Sequence, residues 1–197
     1  MATMMAEPSV VIGKRYPLAY AQKQVHQIPP APSVDRIAYL ASAALGQTVL
    51  DLGASGQLHA ALSHAAQHYY GLDRRERAGV EACNLDRDTL ASHPDVTLVV
   101  CGEVLEHLSN PGHLLDRLRA AYRCRTIFTV PNAMARRAQR WLPLGVENVN
   151  IEHVAYYSYR TLRTLLERHG YRWLEFAWFN GPTDGTADGL IAVVEPV

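Results

Sequence analysis

The amino-acid sequence predicts an α/β domain: an open, mostly parallel sheet of seven strands, with helices on both faces and an antiparallel hairpin at its C-terminal end. Three observations predict it. Short apolar, β-branched runs alternate with segments of helical period, the runs end on glycine or a polar residue, and the last two have no helix between them. Continuously apolar strands are buried on both faces, as a parallel sheet covered by helices requires.

Residues 1–32 hold five prolines and no sustained period, so they read as an irregular leader before a domain over 33–197. Ser33 is placed as the N-cap of a helix in which Val34, Ile37, Ala38, Ala41 and Leu45 recur at helical spacing, with Gly46 as its left-handed terminator. Residues 48–52 form the first strand, closed by Gly53 and Gly56 before a helix over 58–66. The next strands are 68–72, ending in Asp73, then 80–85 and 96–101. A helix over 114–122 leads to a strand over 126–130, stopped by Pro131. A basic helical piece over 133–141, a loop and a helix over 158–169, ended by Gly170, follow. Strands 171–179 and 190–194 close the chain, joined by a loop rich in glycine and aspartate.

Composition narrows the function. The chain has 197 residues, 48% of them hydrophobic, with 19 basic against 19 acidic residues and a sequence pI of 7.1, so no global field draws it to nucleic acid or anionic membrane. No uninterrupted apolar run approaches the roughly 18 residues of a membrane span, and Met1–Val10 lacks the pattern of a secretory signal. A cytoplasmic protein with neither a membrane nor a nucleic-acid partner is expected. Three cysteines without C-x-x-C spacing argue against a disulfide framework or a cysteine zinc site.

In such a sheet ligands bind beyond the carboxyl ends of the strands. The first strand ends Asp51-Leu52-Gly53-Ala54-Ser55-Gly56, whose glycines let the backbone approach a ligand closely. About twenty residues on, Asp73 stands where a carboxylate accepts both hydroxyls of a ribose.

Over 33–197 the sequence resembles the class I, Rossmann-like S-adenosylmethionine-dependent methyltransferases, through an ordered set of segments. These are Val49-Leu50-Asp51-Leu52-Gly53, Gly71-Leu72-Asp73, the stretch from Cys101 to Leu108, Thr129-Val130-Pro131-Asn132, and residues 153–171. The resemblance implies S-adenosylmethionine as cofactor. Its site would comprise Asp51, Gly53, Ala54, Gly56, Asp73, Asn84, Leu85, Cys101 and Glu103. The turn would face the methionine part, Asp73 the ribose, and Asn84 and Leu85 the adenine edge. Two departures stand out: Ser55 and Gln57 replace the family's second and third glycines, and the adenine position is Asn84 or Asp86.

Glu103, Glu106 and His107 stand at i, i+3 and i+4, which on a helix is one face. Two carboxylates and an imidazole suit a divalent cation, and His153 is a fourth candidate ligand. The segment is similar to that of small-RNA 3′-end 2′-O-methyltransferases and some quinone-pathway O-methyltransferases, a likeness that implies Mg²⁺ or Mn²⁺. In the metal-free alternative Glu106 caps backbone, His107 packs against His153, and either imidazole is the general base. His64 and His68 read as surface residues. Arg136, Arg137 and Arg140 form either a phosphate-binding cluster beside the acceptor or a solvated face. Tyr156, Tyr157 and Tyr159 either wall the acceptor or pack under the last helix.

The expected function is therefore methyl transfer to an oxygen of a small-molecule acceptor, with His107 or His153 as base. The alternatives are methylation of an RNA 3′ end and a non-catalytic module that binds the cofactor or its demethylated product.

Overall fold

A computed structural model of the protein describes residues 27–197, so residues 1–26 of the leader lie outside the described residues. The apolar runs form strands β2 (Thr48–Leu52), β3 (His68–Asp73), β4 (Val80–Ala82), β5 (Leu98–Gly102), β6 (Arg125–Pro131), β7 (Tyr171–Phe179) and β8 (Gly189–Pro196). An eighth strand, β1 (Ser33–Val34), precedes them where a helix start is expected. Ser33 and Val34 pair with Trp178 and Phe179, and Trp178 N donates to Pro32 O at 2.8 Å. This pairing draws both residues into the sheet. Asp35 takes over as N-cap, its carboxylate accepting from Ala38 N at 2.8 Å.

The helices are α1 (Arg36–Ala44), α2 (Gly56–Ala65), α3 (Pro111–Ala121), α4 (Arg136–Gln139) and α5 (Tyr159–Arg168), with 3₁₀ turns at Leu105–His107 and Leu142–Leu144. The basic piece is thus only four residues of α-helix. None of its residues is fully buried, so no apolar face holds a longer one in place. Ser158 caps α5, bonding Thr161 in a reciprocal capping box. No described helix is long and apolar enough to cross a membrane.

The strand order is β1-β7-β8-β6-β5-β2-β3-β4. Every neighbouring pair is parallel except those of β8, which runs antiparallel to both β6 and β7. Strand alternation divides the core into two layers. Val49, Val100, Ile127 and Ile191 pack with Leu40, Leu58 and Leu62 of α1 and α2, while Leu50, Val99, Phe128 and Leu190 pack with Leu114, Leu118, Leu162 and Leu166 of α3 and α5. The parallel strands β2, β3, β5 and β6 therefore deliver their carboxyl ends to one edge.

Candidate active site

At that edge β2 turns at Gly53, whose φ of +76° is one that only glycine adopts readily. Gly53 N and Ala54 N both donate to Leu72 O, at 2.8 and 3.0 Å, which clamps the turn to β3. A Cβ at Gly53 would stand 2.4 Å from Val104 Cγ2. Gly56, at φ +57°, opens α2, and a Cβ there would meet no atom within 4 Å, so its glycine answers to backbone conformation alone.

Asp73 closes β3 and receives the Arg77 guanidinium, which also donates to Ala54 O. The loop after β4 is held by bonds within itself and by one from the chain after β5. Asp88 accepts from Asn84 N at 2.7 Å, Asn84 from Asp86 N at 3.1 Å, and Asp86 from Ser109 N at 2.8 Å. From α3, Arg117 donates to the Leu85 and Asp88 carbonyls. Turn, Asp73 and loop border one cavity of about 400 Å³.

Of the residues expected to hold a cofactor, Gly53, Asp73, Asn84, Leu85 and Glu103 line this cavity, and Asp51, Ala54, Gly56 and Cys101 do not. Asp51 is 1% exposed and accepts from Tyr69 Oη at 2.7 Å, and Tyr69 in turn meets His59 Nδ1 at 2.7 Å. Burial pushes the Asp51 carboxyl up to about 6, against the lowering influence of the Tyr69 bond. Asp51 thus joins β2, β3 and α2 beneath the turn. Cys101 is wholly buried, and burial pushes its thiol well up.

Beyond β5 the chain does not make the helix that the Glu103-to-His107 spacing suggests. Gly102 passes so near Leu58 that a Cβ would lie 2.6 Å from its Cδ2, and Glu103 has a left-handed φ of +58° while its N donates to Thr129 O at 2.9 Å. Only Leu105–His107 coil, as a 3₁₀ turn. Glu103 therefore leaves the shared face and stands 3.6 Å from Arg36 at the start of α1.

Glu106, His107 and His153 do converge, with candidate ligand atoms all within 4.8 Å of one another; Glu103 is outside this group. The Glu106 carbonyl accepts from Val154 N at 2.8 Å and Ala155 N at 3.2 Å, which brings the segment carrying His153 to the turn. The two imidazoles meet edge to face at 4.7 Å. Glu106 is 1% exposed and both its carboxylate oxygens are buried without a hydrogen-bond partner. Burial pushes its carboxyl up to about 8, and the nearby Glu103 charge adds to the rise. Burial and then the neighbouring His107 lower the pKa of His153. A buried carboxylate with two empty oxygens beside two imidazoles is a mixed O/N donor set that suits a divalent cation.

A second cavity, of about 370 Å³, adjoins the first through Glu103, which lines both. His107 faces the first and His153 the second. Asn148, Asn150, Tyr156 and the Arg137–Asp188 ion pair, at 3.2 Å, border the second. Asn132, buried at the end of β6, donates to the Gly185 and Ala187 carbonyls at 3.0 and 2.9 Å and so anchors the loop before β8. Arg136 pairs with Asp184 at 3.1 Å, while Arg140 lies over Trp141 at 4.9 Å. Tyr157 and Tyr159 are core residues, and His64 and His68 are exposed. Arg36, Arg77 and Arg117 have no signature in the sequence. Each reaches the site from an element whose placement depends on the whole sheet.

Known structures share this architecture. The crystal structure of the small RNA methyltransferase HEN1 superposes with a TM-score of 0.67 at 16% identity, covering 87% of this chain and 27% of that one. The chain thus spans about a quarter of that protein's length. Magnesium protoporphyrin IX methyltransferase from Synechocystis PCC 6803, with bound SAH, gives 0.60 at 17% identity, covering 82% and 80% of the two chains. The 1,6-didemethyltoxoflavin-N1-methyltransferase of Burkholderia thailandensis, with bound 1,6-didemethyltoxoflavin and S-adenosylhomocysteine, gives 0.60 at 16%, covering 83% and 79%. No curated protein sequence matches the chain. The family described as Methyltransferase domain matches residues 22–175, well over half the length, and the chain belongs to that family.

Proposed function

We propose that the chain transfers a methyl group from S-adenosylmethionine to an oxygen of a small-molecule acceptor, aided by a divalent cation held by Glu106, His107 and His153. The observation that carries this reading is the Glu106 carboxylate, buried with both oxygens unpartnered and set against two imidazoles between the two cavities. A carboxylate so placed calls for a cation or a proton.

In this reading the Gly53 turn, Asp73 and the Asn84–Leu85 loop hold the cofactor along the first cavity. Its sulfonium methyl is the electrophile, and the protein's work is to align the acceptor oxygen with it and remove a proton. The second cavity holds the acceptor, with Asn148, Asn150 and Tyr156 orienting it. A bound cation supplies Lewis acidity that makes an acceptor hydroxyl easier to deprotonate. His153, kept neutral by its surroundings, accepts a proton if no cation is bound.

The fold shared with a small RNA methyltransferase, together with the Glu-x-x-Glu-His segment, favours an RNA end as the second reading. A net charge of zero weighs against it, because affinity for RNA rests on neutralising phosphates.

The test is calorimetry with Mn²⁺ on protein stripped by chelator, followed by methyl transfer from labelled S-adenosylmethionine to small hydroxylated compounds and to an RNA oligonucleotide. One Mn²⁺ per chain, lost in His107→Ala, is expected. Absence of Mn²⁺ binding removes the cation, and a labelled 3′-terminal ribose replaces the small-molecule acceptor with RNA.

A further inference from the structure

Arg77 is not among the described residues that line the first cavity, yet its guanidinium donates to Asp73 Oδ2, on a residue that does line it, and to Ala54 O in the Gly53 turn. Ala54 is held from its other side as well, because Ala54 N donates to Leu72 O at 3.0 Å. A ring of contacts thus closes through Leu72, Asp73, Arg77 and Ala54, behind the wall that a ligand would meet. The backbone of Arg77 is also fixed. Its N donates to Val80 O at 3.1 Å and its O accepts from Val80 N at 2.9 Å, in a tight turn whose third residue, Gly79, has a φ of +74°. Val80 opens β4, and just beyond that strand Cys83 N donates to Asp73 O at 2.7 Å, immediately before Asn84.

These contacts make Arg77 a brace for Asp73 and not a plug in its place. A carboxylate offers about four lone-pair positions. Arg77 takes one on Oδ2, and Arg75 N takes one on Oδ1 at 3.4 Å, which leaves room for two ribose hydroxyls. One nitrogen, Nη2, makes both Arg77 bonds, so a single atom sets the separation of the turn from the carboxylate. The two side chains are 38% and 22% exposed, and an ion pair so open to water adds little to stability. What it adds is placement.

We propose that Arg77 is a positioning residue for the cofactor: by tying Asp73 to the Gly53 turn it holds the carboxylate where one nucleoside ligand can meet both, without touching that ligand itself. This inference rests on the methyltransferase reading of the first cavity. The two torsions of an aspartate side chain would otherwise spread the carboxylate over several positions, whereas a binding group must be held to about 0.5 Å. Because the turn at 77–80 leads into β4, and Cys83 returns to Asp73, the same residue keeps the Asn84 loop in step with the turn and the carboxylate.

The test reads Arg77 against the ribose hydroxyls by calorimetry, with S-adenosylhomocysteine and its 2′,3′-dideoxy analogue as probes. Arg77→Met is expected to weaken S-adenosylhomocysteine about tenfold and to leave the dideoxy analogue within about twofold, since only the hydroxyls use Asp73. In an Asp73→Ala background the further change Arg77→Met should cost less than about twofold, the mark of a residue that acts through Asp73. Arg77→Gln, whose amide stops two bonds short of the guanidinium nitrogens, should show the same selective loss and decides the matter if Arg77→Met folds poorly. A merely structural role would lower both affinities together. An equal fall for both probes, an affinity for S-adenosylhomocysteine that is unchanged or higher in the Arg77 variants, or a full loss that persists without Asp73 overturns the brace. Wild type that binds both probes equally well also overturns it, while leaving the cofactor in the cavity. Wild type that binds neither probe overturns the cofactor reading itself, and the brace with it.

Discussion

Replacing Glu106 by glutamine removes a buried titrating group while keeping its shape, and the effect on the metal-free protein follows from linkage. The carboxyl of Glu106 is raised from 4.5 to about 8 in the fold, chiefly by burial. A raised carboxyl keeps its proton in the folded state after the unfolded chain has released one. Stability is therefore unaffected below about pH 4.5 and falls as pH climbs from there to about 8. One proton costs about 1.4 kcal/mol per pH unit. Asp51, raised to about 6, contributes the same sign of slope at lower pH, and His153, lowered from 6.5, the opposite sign near that value, but wild type and variant share both, so their difference isolates Glu106 across the window from pH 6 to 8. Across it the wild type should lose up to about 3 kcal/mol, or about 6–12 °C in Tm for a chain of this size. Glu106→Gln should lose little, ending more stable than wild type at pH 8. Thermal unfolding in chelator at pH 6, 7 and 8 measures this. Curves for wild type and variant that run parallel across that window would show that Glu106 is solvated, and would remove the physical basis of the cation site.

The same melts with Mn²⁺ should reverse the wild-type trend, raising Tm more at pH 8 than at pH 6, because the cation competes with the proton for Glu106; an unchanged Tm at both pH values counts against the site. Asp73→Ala should weaken S-adenosylhomocysteine by about ten- to a hundredfold in calorimetry, the loss of a charge-assisted contact, while equal affinity takes Asp73 out of the site. Gly53→Ala should destabilise by about 1–3 kcal/mol and abolish cofactor binding, since the new methyl meets Val104 on a left-handed backbone. Gly56→Ala, with open space around it, should cost only about 1 kcal/mol in denaturant melts; equal losses at the two positions refute the steric argument.

The long elements were legible in the sequence because their signal is periodic burial. The runs at 48–52 and 171–179 coincide with β2 and β7, and the antiparallel placement of the last strand followed from the missing helix before it. What escaped was set by tertiary pairing. Ser33–Val34 is too short to show a period and is a strand only because β7 offers it an edge. The i, i+3, i+4 spacing from Glu103 presupposes a helix, yet the left-handed Glu103 backbone detaches it from the pair that follows. Glu106 and His107 still reach His153 through the Glu106 carbonyl, a contact that helical spacing does not encode. Asp51 was legible as a special residue, but only its hydrogen bond with the half-buried Tyr69 on β3 shows that its partner belongs to the fold.

The position of β8 sets the order in which the sheet is assembled. Strands β2 to β6 can join as the chain emerges, each onto a neighbour already made, but β6 then waits for a partner that begins only at Gly189. Its residues 126–130 are all buried in the finished fold, so until the β7–β8 hairpin inserts they form an open, apolar edge. Such an edge is a template for another chain. Recovery of folded protein should therefore depend on how quickly this hairpin closes the gap, and substitutions that slow it should send the product into inclusion bodies while leaving the melting temperature of the surviving folded fraction nearly unchanged.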